Sequence, residues 1–449
     1  MNGRLALLIG SIGFFWVLAF NTGDPFFSNL AYLGTGGLIL SWLWSRTVLA
    51  GIELRRFPSA GTSQVGQRID EVFELRNHGR MPKMWLELTD YSTLPHHESS
   101  RVVANLRRGG RRRWQIRTQC RMRGRFMLGP MRVRSSDPLG LFMRELHLPA
   151  RTGITVFPVA VDLPHFTPVV SDLSGDERIR LRTPVVTTNA SSVRDYTPGD
   201  GQNRIHWLSS ARRNRLIVKE FELDPSAHVQ LFLDLAAAPE VSLPTPPPVT
   251  GPTVFGGWGR QSRTDATWLP PSTTEYSIAA SASVVRHFLR GGRAVGLTAY
   301  GQVRITLPPD RGGRQERKLL ESLAVLEAEG GVSMAEFILN DGLHLSRHET
   351  LMVVTADPDP LWVQALRELR MRGVGSLALV VDCQTFDPAR SMQAVFAELA
   401  SARLPHYRIA QDQPLAEALA GNPQRTWLNG SQGDHARGEP SYSQTLNLP

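Results

Sequence analysis

Ionisable side chains are concentrated near the middle of the chain, between residues 193 and 223. They are Arg194, Asp195, Asp200, Arg204, His206, Arg212, Lys219 and Glu220. A histidine beside a carboxylate can act as a general acid and base, so His206 with Asp195 or Asp200 is the candidate catalytic pair. The neighbours of this histidine, Ile205 and Trp207, are apolar, which favours a packed, hydrogen-bonded histidine over a catalytic one.

No recognised catalytic or nucleotide-binding motif accompanies this pair. The sequence contains no G-x-S-x-G nucleophile elbow, no H-E-x-x-H zinc motif and no G-x-x-x-x-G-K-[ST] phosphate loop. We therefore expect no catalytic residue, and we interpret the charged residues as a salt-bridge network that braces the segment between two domains. A hydrolase that uses Asp200 and His206 is the enzymatic alternative.

Short elements must position these residues. The sequence Thr-Pro-Gly-Asp at 197–200 is typical of a turn. Residues 204–211 have the spacing of a short amphipathic helix, with Ile205 and Leu208 facing inward. Residues 216–223 alternate in the manner of a strand. The segment is therefore predicted to fold as a turn, a helix and a strand.

The first fifty residues are the most apolar part of the chain. Residues 5–20 and 30–44 carry no charged side chain, and a polar, turn-like stretch at 21–25 separates them. With its polar flanks, each run approaches the roughly 20 residues that a helix needs to cross a membrane. We therefore predict a transmembrane helical hairpin over residues 1–51. A cleaved signal peptide is the alternative, but it does not explain the second apolar run.

The positions of the arginines predict how this hairpin is oriented. Arg4 precedes the first apolar run, Arg46 and Arg55 follow the second, and no cation lies between the two runs. Because cationic loops stay on the cytoplasmic side, we expect a multi-pass protein of the inner (cytoplasmic) cell membrane with both termini in the cytoplasm.

Between residues 52 and 150, apolar and polar side chains alternate with the period of β-strands. The clearest run places Trp114, Ile116, Thr118, Cys120 and Met122 on one face and mostly arginine and glutamine on the other. Several short strands without intervening helices predict a small β-sandwich.

The arginine-rich face of this module, with Arg117, Arg121 and Arg123, has three interpretations. It is a solvated strand face, a surface attracted to the anionic inner leaflet, or a nucleic-acid-binding surface. No recognised nucleic-acid-binding motif accompanies the charge, so we expect no nucleic acid among the partners.

From residue 228 to residue 421, strands and helices alternate, which predicts a doubly wound, mostly parallel sheet. A proline- and glycine-rich insertion at 239–274 is expected to be flexible, and residues 422–449 are expected to form a disordered tail. Residues 151–227 form the connecting segment that contains the charged residues.

Composition agrees with a folded protein of several domains. The chain has 449 residues, 41% of them hydrophobic, which excludes a largely disordered or collagen-like chain. Its net charge is +9, and its two cysteines, Cys120 and Cys383, are far apart without metal-ligand neighbours. This cysteine usage argues against a zinc ribbon or a disulfide framework and is typical of a reducing compartment.

The central segment resembles the signature of the domain of unknown function 58 family, which is found in bacterial and archaeal membrane proteins. The residues of the signature are Arg194, Asp195, Tyr196, Gly199, Asp200, Arg204, His206, Trp207, Arg212, Lys219 and Glu220. The segment departs from the family pattern at Asp195. Residues 123–126 and 136–142 are similar to two further family elements, R-G-x-[YF] and [ST]-x-D-P-[FL]-G-L-F.

The resemblance implies a von Willebrand A-like version of the α/β domain. Such domains often hold a metal ion in a loop that reads D-x-S-x-S after the first strand. Here the loop begins with Asp234, and alanine occupies both hydroxyl positions, 236 and 238. Asp357 is the candidate for a later acidic ligand. Because magnesium prefers six oxygen ligands, we expect no metal ion and no cofactor at this degenerate site.

The resemblance also implies partners: a MoxR-type AAA+ ATPase, other membrane proteins and the lipid bilayer. We therefore expect a non-enzymatic, membrane-anchored interaction or scaffold protein that faces the cytoplasm and works in the assembly or maturation of a protein complex. The alternatives are the hydrolase described above and a binder of anionic lipid or nucleic acid through the arginine-rich strands.

Overall fold

The computed structural model describes residues 3–58, 60–168, 190–196, 205–221, 228–244, 269–346 and 349–420. The side chains of residues 190–194 and 219–221 are outside the description. The predicted tail and most of the predicted insertion also lie outside the described residues. The described chain forms two compact units, residues 3–158 and residues 159–420.

Two helices open the first unit: α1 spans Gly3–Thr22 and α2 spans Pro25–Thr47. Asp24 caps the start of α2, because its carboxylate accepts a hydrogen bond from the Phe26 N–H (2.9 Å). Proline at the first helical position also favours a helix start there. By length and composition, both helices can cross a membrane.

The two helices pack against each other. The Trp16 indole N–H donates a hydrogen bond to the Thr35 hydroxyl (3.1 Å). Gly34 makes room for Ile12, since a Cβ atom at residue 34 would lie 2.8 Å from the Ile12 Cγ1 atom. These contacts, between later residues of α1 and the middle of α2, show that the two helices pack side by side.

Ten strands follow without an intervening helix among the described residues of this unit. They are β1 Ile52–Pro58, β2 Thr62–Gln64, β3 Arg68–Asn77, β4 Lys83–Asp90, β5 Arg101–Leu106, β6 Arg111–Gln119, β7 Gly124–Leu128, β8 Met131–Ser136, β9 Met143–Leu148 and β10 Thr152–Phe157. They form three sheets with the orders β1-β3-β6, β5-β4-β8-β9 and β2-β10-β7. We call this part of the chain the β module.

One apolar core joins the first two sheets. Its buried residues are Phe73, Leu75, Leu86, Leu88, Val103, Leu106, Met131 and Val133. Phe73 also stacks on Trp114 of β6, with ring centroids 5.5 Å apart. The predicted inward face of β6 is thus confirmed at Trp114. It is wrong at Met122, which is 54% exposed because the strand already ends at Gln119.

The β module extends further than the sequence predicted. Strand β10 lies inside the predicted connecting segment, yet it pairs antiparallel with β7 and parallel with β2. Residues 159–168 belong to the second unit instead. The Val161 N–H donates to the Ser283 hydroxyl (3.0 Å), and the Phe166 ring packs against Tyr407. Pairing between distant strands, which local periodicity does not encode, sets this boundary.

A buried aspartate joins α2 to the β module. The Asp137 carboxylate accepts hydrogen bonds from the backbone N–H groups of Leu139 (3.0 Å) and Phe142 (2.6 Å). It also accepts one from the Ser41 hydroxyl of α2. Both Asp137 and Ser41 are buried. The turn at residues 137–142, which we call the Asp137 turn, is therefore held closed and bound to the helix by one side chain.

Replacing Asp137 with alanine is expected to lower the free energy of unfolding by about 2–3 kcal/mol, because it leaves three donors without their acceptor. Ser41→Ala removes only one of these hydrogen bonds, so we expect a loss of about 1 kcal/mol. Chemical denaturation of the full chain in detergent measures both values. Equal losses in the two variants would contradict this account of the turn.

A second contact closes the junction between α2 and the β module. The buried Lys83 ammonium donates a hydrogen bond to the Thr47 carbonyl oxygen (2.8 Å) at the end of α2, where a cation is favourable. Burial lowers the pKa of Lys83. Gly51 has a positive φ and lies against Gly79, where a Cβ atom at residue 51 would be 2.5 Å from the Gly79 nitrogen.

The second unit contains a two-stranded sheet and a six-stranded sheet. The smaller sheet pairs β11 (Ala190–Asp195) with β12 (Ile217–Phe221), and the helix α3 (Trp207–Arg213) lies between them in sequence. The remaining elements are β13 His228–Asp234, α4 Thr273–Arg290, β14 Val295–Tyr300, β15 Arg304–Asp310, α5 Gly312–Val325, α6 Met334–Gly342, β16 Glu349–Thr355, α7 Leu361–Met371, β17 Gly375–Val381, α8 Gln393–Ser401, β18 His406–Ile409 and α9 Leu415–Ala418.

The larger sheet has the order β15-β14-β13-β16-β17-β18. All neighbouring strands are parallel except β15, which pairs antiparallel with β14 at one edge. Both faces of β16 and β17 are buried. Phe232 stacks on Phe337 of α6 with ring centroids 4.5 Å apart, and Trp362 of α7 is fully buried in the same core. The mixed α/β sheet predicted from the sequence is present.

Candidate functional site

Strands β13 and β16 are parallel neighbours near the middle of the large sheet, and the connections that follow them lead to opposite sides. From β13 the chain passes to β14 on one side, and from β16 it passes to β17 on the other. Ligands of open α/β sheets bind at such a switch point, beyond the carboxyl ends of the strands. Asp234 and Thr355 are the last residues of these two strands, so they occupy that position.

Asp234 is buried and fully hydrogen-bonded. Its Oδ2 atom accepts a hydrogen bond from the Thr355 hydroxyl (2.5 Å), and its Oδ1 atom accepts one from the Ala236 N–H (3.0 Å). Burial raises the pKa of Asp234 to about 6, although both hydrogen bonds act in the opposite direction. Burial also raises the pKa of Asp357, which follows β16. The two predicted acidic residues therefore lie at the same edge of the sheet.

A shallow, open cleft lies beside Asp234. Its lining includes Glu240, at the start of the predicted insertion, and Thr273, Thr274 and Ser277 in the first turns of α4. The Thr273 hydroxyl accepts a hydrogen bond from the Val241 N–H (3.0 Å), which ties the loop to the helix. We call this region the strand-end cleft.

The donors at the strand-end cleft do not fit a magnesium ion. Both oxygens of Asp234 are used in hydrogen bonds, and alanines stand at positions 236 and 238. The described residues include no group of three or more His, Cys, Asp or Glu side chains with the geometry of a metal site. The loop after β13 therefore lacks the two hydroxyl ligands that a D-x-S-x-S loop would supply.

His206, the predicted acid/base candidate, begins α3. Its Nδ1 atom accepts a hydrogen bond from the Ser209 N–H (3.2 Å) and lies 2.6 Å from the Ser209 hydroxyl oxygen. The backbone N–H of His206 donates a hydrogen bond to the Ile217 carbonyl oxygen (2.8 Å). Asp195, one of its two proposed partners, forms an exposed ion pair with Arg215 (2.9 Å). In this arrangement the imidazole caps a helix.

The other signature residues divide into three groups. Gly199, Asp200 and Arg204 lie outside the described residues. Arg194, Lys219 and Glu220 lie on the paired strands β11 and β12, and their side chains are outside the description. The Tyr196 N–H donates to the Leu216 carbonyl oxygen (2.9 Å), and Arg212 is exposed on α3. The predicted charge network as a whole stays a prediction.

Helix α3 exposes two large apolar side chains among cations. Trp207 is 67% exposed and Leu208 is 62% exposed. The sequence predicted that Leu208 faces inward; this is wrong, because α3 begins at Trp207 and only Ile205 of the predicted apolar pair is buried. The exposed residues Arg212, Arg213 and Arg215 lie on or directly after the helix. We call Trp207, Leu208 and these three arginines the α3 surface.

A hydrogen bond to strand β12 fixes the position of the α3 surface. The buried Ser210 hydroxyl accepts a hydrogen bond from the Ile217 N–H (2.9 Å), which connects α3 to β12. Asn214 ends the helix in the left-handed conformation that this residue tolerates. Tryptophan and arginine are the residue types that contribute most to binding at protein interfaces.

The arginine-rich face of β6 has acidic partners on the neighbouring strand. The register places Arg117 opposite Asp70, and the two side chains are 3.3 Å apart. Arg111 lies 3.9 Å from Glu74, also on β3. Cross-strand pairs of opposite charge stabilise a sheet, so these contacts favour the solvated strand face among the three interpretations.

A buried charge cluster in the β module was not found from the sequence. Arg56 Nη2 lies 2.8 Å from Glu71 Oε2 and 3.2 Å from Asp90 Oδ2. The His97 Nε2 atom lies 3.3 Å and 3.2 Å from the same two oxygens. Both carboxylates and the histidine are almost fully buried. We call these four residues the Arg56 cluster.

The electrostatics of the Arg56 cluster favour ionised carboxylates. Burial opposes ionisation of Asp90, but hydrogen bonds from His97, Ser99 and Ser92, together with the Arg56 charge, hold the pKa of this carboxyl well below its usual value. One signal could have revealed the cluster: Glu71 has the same parity as the core residue Phe73 on β3.

The described chain thus combines two apolar helices, a β module and a mixed α/β unit, and the two helices are long and apolar enough to cross a membrane. A family described as "Protein of unknown function DUF58" matches residues 192–242, which include α3 and β13. An uncharacterized protein of Bacillus subtilis (strain 168), YeaD, is 23% identical over 218 residues. The match covers 48% of this chain and 46% of YeaD, so the chain spans about half the length of this relative.

The similarities to solved structures are weak. A CARDB domain from Pyrococcus furiosus, solved with metal ions, is 8% identical over 23% of this chain and 91% of that chain, with a TM-score of 0.19. An alkylpurine DNA glycosylase from Pseudomonas fluorescens, bound to DNA, is 17% identical over 30% of this chain and 42% of that chain, with a TM-score of 0.15. These scores are too low to indicate a shared fold.

Proposed function

We propose that this chain is a membrane-anchored interaction protein that binds a protein partner through the α3 surface. The observation that carries the proposal is the exposure of Trp207 and Leu208, side by side, within the segment that the DUF58 family matches. Their helix is held in place by the Ser210 hydrogen bond, so the two side chains are presented in a defined position. A preorganised apolar pair with a cationic rim has the features of a binding hot spot.

The partner proposed from the family resemblance is a MoxR-type AAA+ ATPase, and the function is assembly or maturation of another protein complex. The three arginines of the α3 surface favour an acidic partner surface, because complementary charge speeds and orients association. The same resemblance supports a von Willebrand A-like class for the α/β unit. The end of β13 at Asp234 is consistent with that class.

We propose that α1 and α2 cross the inner membrane and that both chain termini are cytoplasmic. Arg4 lies near the start of α1 and Arg46 lies near the end of α2. The one charged residue in the connection between the two helices is Asp24. This distribution of charge supports the orientation. The β module and the α/β unit would then face the cytoplasm, where an ATPase partner has access to nucleotide.

Crosslinked co-purification from membranes, with and without ATP, tests the proposal. We expect the double variant Trp207→Ala and Leu208→Ala to lose at least about tenfold in recovered ATPase, since truncation of one hot-spot residue costs about 2 kcal/mol or more. The matched control removes two exposed apolar side chains of α7, Leu361→Ala and Met371→Ala. Equal recovery of the ATPase with both double variants would refute the α3 surface as its binding site.

A further inference from the structure

The Asp137 turn lies beside α2 at some distance from the end of that helix. Its contact residue, Ser41, precedes the last helical residue, Thr47, by about 9 Å at 1.5 Å per residue. The part of α2 that precedes this contact, residues 25–40, is therefore about 24 Å long. The hydrocarbon layer that α2 is proposed to cross is about 30 Å thick.

This difference in length places the Asp137 turn near the lipid headgroups. If the whole β module stayed in bulk water, the bilayer would have to thin by about 6 Å around α2, which costs free energy. The residues on α2 next to the contact agree with an interfacial position. Trp42 follows Ser41 directly, and the Arg46 guanidinium lies over the Trp42 ring at 4.6 Å from its centroid. Tryptophan and arginine are typical of the membrane interface.

The turn itself presents apolar side chains to its surroundings. Leu139 is 62% exposed, Pro138 is exposed and Phe142 is half-buried. Asp137 holds this conformation through its hydrogen bonds to the backbone of the turn. The turn therefore presents an exposed leucine and is bound to a candidate membrane helix through Asp137 and Ser41.

We propose that the Asp137 turn inserts Leu139 and its apolar neighbours into the headgroup region of the bilayer that α2 crosses. The β module then has two attachments to the membrane, a spanning hairpin and an interfacial turn. This inference rests on the proposed membrane anchoring. It adds a lipid contact made by a part of the chain that is not helical and does not span the membrane.

Site-specific fluorescence of the full chain in vesicles of phosphatidylcholine and phosphatidylglycerol tests the inference. The two native cysteines are buried, and burial raises the pKa of each thiol, so an introduced exposed cysteine reacts selectively. The test variant is Leu139→Cys, and the matched control is Val102→Cys on β5, a residue that is also 62% exposed. Both are labelled with nitrobenzoxadiazole and exposed to vesicles whose lipids carry a nitroxide quencher near the headgroup. A second set of vesicles carries the quencher on the acyl chains.

We expect the label at residue 139 to show blue-shifted emission and severalfold stronger quenching than the label at residue 102. A third variant, Leu33→Cys within α2, reports the anchoring itself in the vesicles whose quencher is on the acyl chains. Quenching at residue 33 without quenching at residue 139 would overturn the insertion of the turn and leave the anchoring intact. Absence of quenching at residue 33 would overturn the membrane anchoring and, with it, the inference.

Discussion

Replacing Arg56 with methionine is expected to lower the free energy of unfolding by about 3–5 kcal/mol, because the substitution leaves the buried carboxylates of Glu71 and Asp90 without their guanidinium. The methionine side chain fills much of the space of the arginine side chain. The loss of stability therefore measures the removal of the charge more than the removal of volume. The Arg56 guanidinium also lies over the Phe73 ring, a contact that methionine can partly replace.

The pH dependence distinguishes this effect from a packing defect. In the native chain the pKa of Asp90 is below its unfolded value near 4, so its stabilising contribution is present above about pH 4 and is lost as the pH falls through the folded-state pKa. In the variant, loss of the guanidinium charge raises the pKa of Asp90 relative to the native chain, so protonation relieves part of the destabilisation. We therefore expect the difference between the two proteins to shrink as the pH falls.

The control for this prediction is the same substitution at an exposed ion pair. Arg117 pairs with Asp70 across the β6–β3 register, and both side chains are about half-exposed or more. Arg117→Met is expected to change the free energy of unfolding by about 0.5 kcal/mol or less. Chemical denaturation in detergent between about pH 3 and pH 8 gives all the values. A similar loss in both variants, or one that is independent of pH, would show that the Arg56 cluster does not act through charge.

Replacing Asp234 with asparagine is expected to stabilise the second unit at pH 8, by up to about 3 kcal/mol. Burial raises the pKa of Asp234 to about 6, so its ionised form is less stable in the fold than in the unfolded chain. Between the unfolded value near 4 and the folded value near 6, the native chain therefore loses stability as the pH rises. An asparagine keeps both hydrogen bonds, since its amide can donate to Thr355 and its carbonyl can accept from Ala236.

Denaturation of both proteins across pH 4 to 8, with and without Mg²⁺, checks this prediction. The native chain and the variant are expected to converge near pH 4 and to separate as the pH rises. An exposed control, Asp162→Asn at the surface pair with Arg290, is expected to be nearly neutral. If Asp234→Asn instead destabilises the chain, and only when Mg²⁺ is present, then Asp234 holds a cation and the expected absence of a metal is wrong.

The sequence predicted most elements of the α/β unit, because buried strands are continuous apolar runs and helices have a different period. The strand at 349–355 has six successive buried residues, and the helix at 361–371 buries residues at helical spacing. Helix α6 was missed, although its start has a recognisable signal: the Ser333 hydroxyl accepts a hydrogen bond from the Glu336 N–H (3.3 Å). A short helix that follows two glycines has too few turns for its periodicity to stand out.

The candidate sites were predicted less completely, because they depend on contacts between distant residues. The sequence placed Asp234 at the end of a strand, but its partner Thr355 is 121 residues away and becomes a neighbour only through the β13–β16 pairing. The Arg56 cluster likewise draws residues from separate strands and a loop. Periodicity indicates which face of a strand a side chain occupies; it does not indicate which other strand lies opposite.

The junction between α2 and β1 has a mechanical consequence. Only residues 48–51 separate the two elements; Val48 is buried, and the Ala50 N–H donates back to the Thr47 carbonyl oxygen (3.2 Å). Because this connection is short and hydrogen-bonded, it restricts rotation of the β module relative to α2. A change in the tilt of α2, such as one caused by a change in bilayer thickness, would therefore be transmitted directly to the β module.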